Sequence, residues 1–142
     1  MRVVLLSWEY PPRIIGGLGR HVYHLATSMA EQGVEVHVVT KDHPGAPDYE
    51  ESGGVKIHRV VNYPPDIAQE EWVPWTLQFN VALLEKAVAL INELKRVNVI
   101  HAHDWLVAHA AASLKHAYRI PLVATIHATE YGRHQGHLPG PM

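Results

Sequence analysis

The sequence predicts an α/β fold, a parallel sheet with helices on both faces, and three observations carry that expectation. Short runs rich in β-branched apolar residues alternate with longer segments of helical period, as strands do when crossover helices join them. The chain has 142 residues, 47% of them apolar, which suits one ordinary domain. It contains no cysteine, so neither a disulfide framework nor a thiolate site takes the place of a hydrophobic core.

The elements follow in order. Residues 2–7 form the first strand, and a Pro-rich loop leads from it to Gly16-Gly17-Leu18-Gly19, where the glycines interrupt any continuous element. A helix over 18–32 carries Val22, Leu25, Ala26, Met29 and Ala30 as its apolar stripe and stops at Gly33. Residues 34–40 are the second strand. The stretch 41–54 turns to Asp, Pro, Gly and Glu and reads as a surface loop. Residues 55–61 make a third strand, closed by Asn62-Tyr63-Pro64-Pro65.

The longest helical pattern spans 72–96. Leu77, Val81, Leu84, Val88, Ile91 and Lys95 trace one side, Leu83, Ala87, Leu90 and Leu94 widen it, and Pro74 sits in the tolerant first turn. Residues 97–102 are a fourth strand, and Asp104 is an N-cap for a helix ending near Tyr118. Residues 121–126 are a fifth strand, and 127–142 read as loop. The pattern contains no repeat and no interdomain linker.

Charge narrows the function classes. With 12 Lys+Arg against 14 Asp+Glu, the chain lacks the one-signed field of a nucleic-acid binder or a polybasic membrane-surface protein. Twelve histidines at an ordinary pKa of ~6.5 take the net charge from about +1 at pH 7 to about +7 at pH 6. No apolar run approaches the ~20 residues of a membrane span. The opening apolar run is too short for a signal peptide and reads as a buried strand, and the absence of cysteine makes an intracellular, cytoplasmic address the expectation.

Three polar clusters stand at strand ends, which face the ligand crevice in a doubly wound sheet. The first is the glycine turn after strand one, where amides and the helix dipole form an anion site. Gly17-Leu18-Gly19-Arg20-His21-Val22 is not a complete dinucleotide fingerprint, and no Walker Gly-Lys-Ser/Thr is present. The second is His101-Ala102-His103-Asp104-Trp105. His101 and His103 share a strand face and can pair on a metal, although the spacing supplies no third ligand nearby. Asp104 and Trp105 suit a hydroxyl-binding carboxylate beside an aromatic wall. The third runs from Thr125 to Arg133 and includes His127 and Glu130, which together offer donors and acceptors of both charge signs. His21, His24 and His116 read as surface or packing residues.

Taken together, Trp8-Glu9-Tyr10-Pro11-Pro12, Gly16-Gly17-Leu18, His21-Val22, His101 to Trp105 and Thr125 to Arg133 resemble the N-terminal domain of retaining GT-B glycosyltransferases of the glycogen-synthase-like and sucrose-synthase-like group. The resemblance implies one Rossmann-like lobe, residues 1–142, of a two-lobed enzyme. Such an enzyme moves a sugar from a nucleotide-diphosphate sugar to an acceptor hydroxyl, with no metal and no cofactor beyond the donor itself. By the same resemblance Gly16, Gly17 and Leu18 hold the donor diphosphate, and His127 is the catalytic residue beside the transferred sugar. Asp104, Trp105 and His103 line the acceptor side, with Glu130 and Arg133 as neighbours. The partners implied are the nucleotide sugar, a sugar or glucan acceptor and a missing C-terminal domain, without which the lobe is inactive.

The lysine of the Lys-x-Gly-Gly-Leu loop is replaced here by Ile14, with Arg13 adjacent, which favours the broader group over a strict glycogen synthase. Two other readings stay open on the residues alone. One is a stand-alone nucleotide- or phosphate-binding module, and the other a metallohydrolase using His101 and His103.

Overall fold

A computed structural model of the chain describes residues 1–61 and 67–128. Six strands form a single sheet in the order β3-β4-β2-β1-β5-β6, with β1 spanning Arg2–Ser7, β2 Glu35–Lys41, β3 Tyr49–Ser52, β4 Val55–Val60, β5 Val99–His103 and β6 Leu122–Thr125. All neighbours pair in parallel except β3 with β4. The helices are α1 (Gly17–Glu31), α2 (Trp72–Leu94) and α3 (Ala108–Tyr118), the last preceded by a 3₁₀ turn at Trp105–Val107. No helix among the described residues is long and apolar enough to cross a membrane.

The chain first builds outward from β1 to β2 and β4, then returns by α2 to β5 and β6 on the other side of β1. Because parallel crossovers are right-handed, this reversal puts α1 on one face of the sheet and the mutually packed α2 and α3 on the other. β1 and β2 run through the middle with Val4, Leu5, Leu6, Val36, Val38 and Val39 fully buried, as strands covered on both faces require. At the opposite end from the strand carboxyl termini, Arg2 joins β1 to the α2–β5 connection. Its amide donates to Asn98 Oδ1 (2.7 Å), and its guanidinium donates to the carbonyls of Leu94 and Arg96 (3.2 and 2.8 Å).

Two expectations need correction. The 41–54 stretch is not all loop, because Tyr49–Ser52 forms an antiparallel edge strand on β4. Its turn is Gly53-Gly54, both at positive φ (59° and 77°), the conformation that a two-residue hairpin demands. A Cβ on Gly54 would also stand 3.2 Å from that of Ala30.

The face of α2 is also rotated. Leu77 and Val81 are 48% and 55% exposed, whereas Trp75, Phe79, Leu83, Ala87, Leu90 and Ile91 enter the core. The large aromatic rings bury more area than the aliphatic row. Asn80 fixes the rotation, donating to the carbonyls of Thr76 and Leu106 (2.8 Å each) and accepting from the Ala110 amide (2.9 Å). Smaller differences lie at the ends: β5 begins two residues later than expected and continues through His103, and Asp104 caps the 3₁₀ turn rather than α3 itself.

Candidate functional site

In this topology the strand order reverses at β1 and β5, whose crossovers leave on opposite faces. Beyond their carboxyl ends lies the position that the ligand crevice takes in doubly wound sheets. The loop after β1, the end of β5 and the segment after β6 all deliver side chains there.

Glu9 organises the first of these. Its side chain is buried, and Oε1 accepts from the amides of Ile15 (2.6 Å) and Gly16 (2.9 Å). Ser7 supports the approach, its hydroxyl donating to the Glu9 carbonyl at 2.7 Å. α1 then packs directly on this carboxylate: a Cβ on Gly19 would stand 3.1 Å from that of Glu9 and 3.5 Å from the Arg13 carbonyl, so only glycine fits without displacement. The Gly16 amide, expected to face a donor diphosphate, is therefore already committed to Glu9. The following first-turn amides, including those of Gly17 and Leu18, have no carbonyl within the helix to bond. A Cβ on Gly16 or Gly17 would meet nothing within 4 Å, which leaves open space in front of them. Arg13 lies over the Trp8 ring at 5.4 Å. Lys41, at the end of β2, pairs with Asp42, and burial, with Arg13 nearby, lowers its pKa to about 8.

At the end of β5 the chain turns sharply. Asp104 adopts φ 66° and ψ 178°, a backbone region left almost entirely to glycine, and is held there from both sides. Its amide donates to the Thr125 carbonyl (2.8 Å), and its Oδ1 accepts from the Trp105 amide (2.9 Å). That turn leaves Trp105 38% exposed at the rim, with its ring edge toward Trp72 at 6.3 Å. Trp72 stacks in turn on Trp75 at 5.5 Å, and Trp8 meets both edge-on. All four tryptophans of the chain thus form one aromatic wall beside the crevice.

His103 is wholly buried, and its Nδ1 lies 3.1 Å from Nε2 of His127. The pairing expected between His101 and His103 is present as a ring contact at 4.1 Å, but His101 spends its Nε2 on the Thr125 hydroxyl at 2.7 Å. The third imidazole comes from α1. His21, read from sequence as a surface or packing residue, puts its ring 5.8 Å from that of His103 and 5.2 Å from that of His127.

Burial, aided by the neighbouring imidazoles, lowers the His103 pKa to about 3. Burial also lowers that of His127, with His21 adding and Asp104 and Glu9 opposing. Both rings are therefore neutral near pH 7 and can donate and accept one hydrogen bond each. The structure brings His103, Asp104, Trp105 and His127 together with the α1 N-terminus. Glu130 and Arg133 lie outside the described residues.

Comparison with known proteins now decides the family: residues 15–141 match the profile of Glycosyltransferase Family 4. The chain belongs to glycosyltransferase family 4. It is 40% identical to a glycogen synthase of Mycobacterium tuberculosis over 153 aligned positions, covering 99% of this chain and 36% of that protein. It is 38% identical to an uncharacterized glycosyltransferase of Methanocaldococcus jannaschii, covering 94% of this chain and 32% of that one. Among solved structures, sucrose-phosphate synthase from Thermosynechococcus elongatus superposes with a TM-score of 0.75 at 22% identity, over 94% of this chain and 35% of the other.

The family 4 chain therefore spans about a third of the length of these relatives. The resemblance to GT-B glycosyltransferases holds in both family and fold. The residues at this site that the sequence alone did not single out are Glu9 and His21. Glu9 had a signal, an acidic residue six and seven positions before amides that need an acceptor. His21 had one too, since it sits next to Val22 of the buried stripe in the opening turns of a helix whose N-terminus faces the crevice.

Proposed function

We propose that this chain is the acceptor-side lobe of a retaining glycosyltransferase that moves a sugar from a nucleotide-diphosphate sugar to an acceptor hydroxyl. The observation that carries the reading is the convergence at the β1–β5 reversal of the α1 N-terminus, His127 and the Asp104–Trp105 corner, in a family 4 chain. The open first turn of α1 suits the donor diphosphate, with the amides of Gly17 and Leu18 free to face it and Gly16, whose own amide is held by Glu9, leaving the approach clear. Its amides and dipole stabilise the negative charge that grows on the leaving group. His127, neutral and steadied by His103, stands beside the transferred sugar and hydrogen-bonds a sugar hydroxyl. Asp104 accepts from acceptor hydroxyls, and Trp105 offers an exposed ring for a sugar face to stack on. By the same resemblance, Glu130 and Arg133 are assigned to the acceptor side as neighbours of these residues.

The nucleoside and the other half of the donor clamp belong to a second Rossmann-like lobe, in keeping with relatives roughly three times as long. The cysteine-free, charge-balanced composition fits a cytoplasmic enzyme acting on neutral polyols. Incubating the chain with nucleotide sugar and a maltooligosaccharide, and separating products by chromatography, tests the reading. No transfer is expected, because positioning needs both lobes; turnover by this chain alone would overturn the need for a second lobe. Calorimetry with maltooligosaccharide is expected to show binding that Trp105→Ala weakens, and indifference to that change would remove Trp105 from the acceptor side.

A further inference from the structure

We propose that His21, His103 and His127 form a binding site for a borderline transition-metal cation, Zn²⁺ or Ni²⁺. One ring nitrogen from each lies within 4.8 Å of the others, and the three side chains come from three separate elements that the fold alone brings together. Two of them are already close to ligand spacing. Two nitrogens on a tetrahedral zinc at ~2.05 Å stand about 3.3 Å apart, and His103 Nδ1 and His127 Nε2 are 3.1 Å apart. His21 is exposed, so it can swing the remaining ångström or two by a side-chain rotation without moving the sheet.

His103 adds a second line of argument. It is fully buried, and its Nε2 has no hydrogen-bond partner among the described residues. In the present arrangement at least one of its nitrogens is therefore badly served. A cation on Nδ1 replaces the one hydrogen bond this ring makes with a stronger coordinate bond, while Nε2 carries the ring proton. The same shift of tautomer at His127 lets both rings ligate while staying neutral, so no proton needs to leave the site.

The ligand set also selects the ion. Three imidazoles with an open fourth position suit Zn²⁺, Ni²⁺ or Cu²⁺ and do not suit Mg²⁺ or Ca²⁺, which require oxygen ligands. Glu9 and Asp104 both interact electrostatically with His127, and their negative charges balance a cation without occupying its coordination sphere. His101 is outside the set, because Thr125 holds its Nε2. A cation here takes the face of His127 that the proposed function gives to the sugar. On that reading, metal and nucleotide sugar compete, and the ion is an inhibitor with no part in transfer.

Titrating the full chain with Co²⁺, followed by visible absorption and by displacement with Zn²⁺ or Ni²⁺, tests the site. Saturation at one ion per chain is expected. His21→Ala, at an exposed position that leaves the core intact, should weaken binding by more than the roughly 10–100-fold that losing an outer-shell partner costs. His24→Ala, on the same helix, should leave it unchanged. Circular dichroism confirms that both variants are folded. Absence of saturable binding, or equal affinity in wild type and His21→Ala, overturns the proposal. If Zn²⁺ binds as stated yet leaves nucleotide-sugar binding untouched, the metal site stands and the placement of His127 beside the sugar fails.

Discussion

Removing the Glu9 carboxylate is the sharpest test of how the loop between β1 and α1 is built. The side chain is 3% exposed and one oxygen receives two backbone amides, at 2.6 and 2.9 Å. A hydrogen bond to a charged group contributes about 1.5–3 kcal/mol. Ile15 and Gly16 are themselves exposed, so water recovers part of what Glu9→Ala takes away. The expected loss is about 2–4 kcal/mol, within the ~5–15 kcal/mol of a typical domain, so the variant still folds. At this chain length that corresponds to a Tm lowered by roughly 6–12 °C. Glu9→Gln keeps an oxygen in place and loses the charge, and since neutral bonds are about half as strong, it should lose about half as much. Urea unfolding followed by tryptophan fluorescence gives both values, with Trp8 next to the altered residue. A Glu9→Ala variant within about 0.5 kcal/mol of wild type, or a Glu9→Gln variant as damaged as Glu9→Ala, would refute the role assigned to the carboxylate.

Three further outcomes follow from the same structure. His58 is buried against His37 (3.0 Å between ring nitrogens), and burial, with the nearby positive groups, lowers its pKa from 6.5 to about 4. Above pH 6.5 both states are neutral and nothing is gained or lost; below it the unfolded chain takes a proton that folded His58 refuses until about pH 4. Stability should therefore fall through that window, by about 2 kcal/mol at pH 5 for this group, and His58→Gln should flatten the slope measured by urea unfolding at several pH values. Asp104→Gly should be more stable than Asp104→Ala by about 1 kcal/mol, because glycine relieves the strain at φ 66° that alanine keeps; calorimetric Tm values in the opposite order would contradict that strain. Phe79→Ala should cost about 3–5 kcal/mol and Leu77→Ala under about 1 kcal/mol, and comparable losses in denaturant unfolding would mean that α2 faces the other way.

The parallel strands and their crossovers were legible because β-branched runs and the 3.6-residue period are local properties. What escaped depended on competition or on distance. On α2 two apolar rows were available, and the choice between them was made by Asn80 reaching Leu106 and Ala110 on another element. β3 escaped because Tyr49, Glu50 and Glu51 look like loop, although the Gly53-Gly54 pair after them was a hairpin signal in plain view. At the site, the strand-end residues Asp104, Trp105 and His127 could be named because strand ends can be named. Their partners could not, since His21 is separated from His103 by the whole first half of the sheet.

The histidine excess shows most clearly how burial changes a composition argument. Counted as free imidazoles, twelve histidines swing the charge by about six between pH 7 and pH 6. The fold withdraws several of them from that window. His37 and His58 are buried beneath the edge of the sheet, and His101, His103 and His127 crowd the crevice; desolvation is the leading cause of the lowered pKa in all five. The charge swing of the folded chain is therefore smaller than its composition implies, while that of the unfolded chain is not. The difference is proton uptake linked to unfolding, so the same residues that keep the crevice neutral also make the domain acid-labile. Glu35 does not offset this. Arg2, then His37, hold its pKa at about 2, so it stays ionised throughout the window in which the histidines act. A neutral, hydrogen-bonding rim and a loss of stability below pH 6.5 are two consequences of burying imidazoles in this sheet.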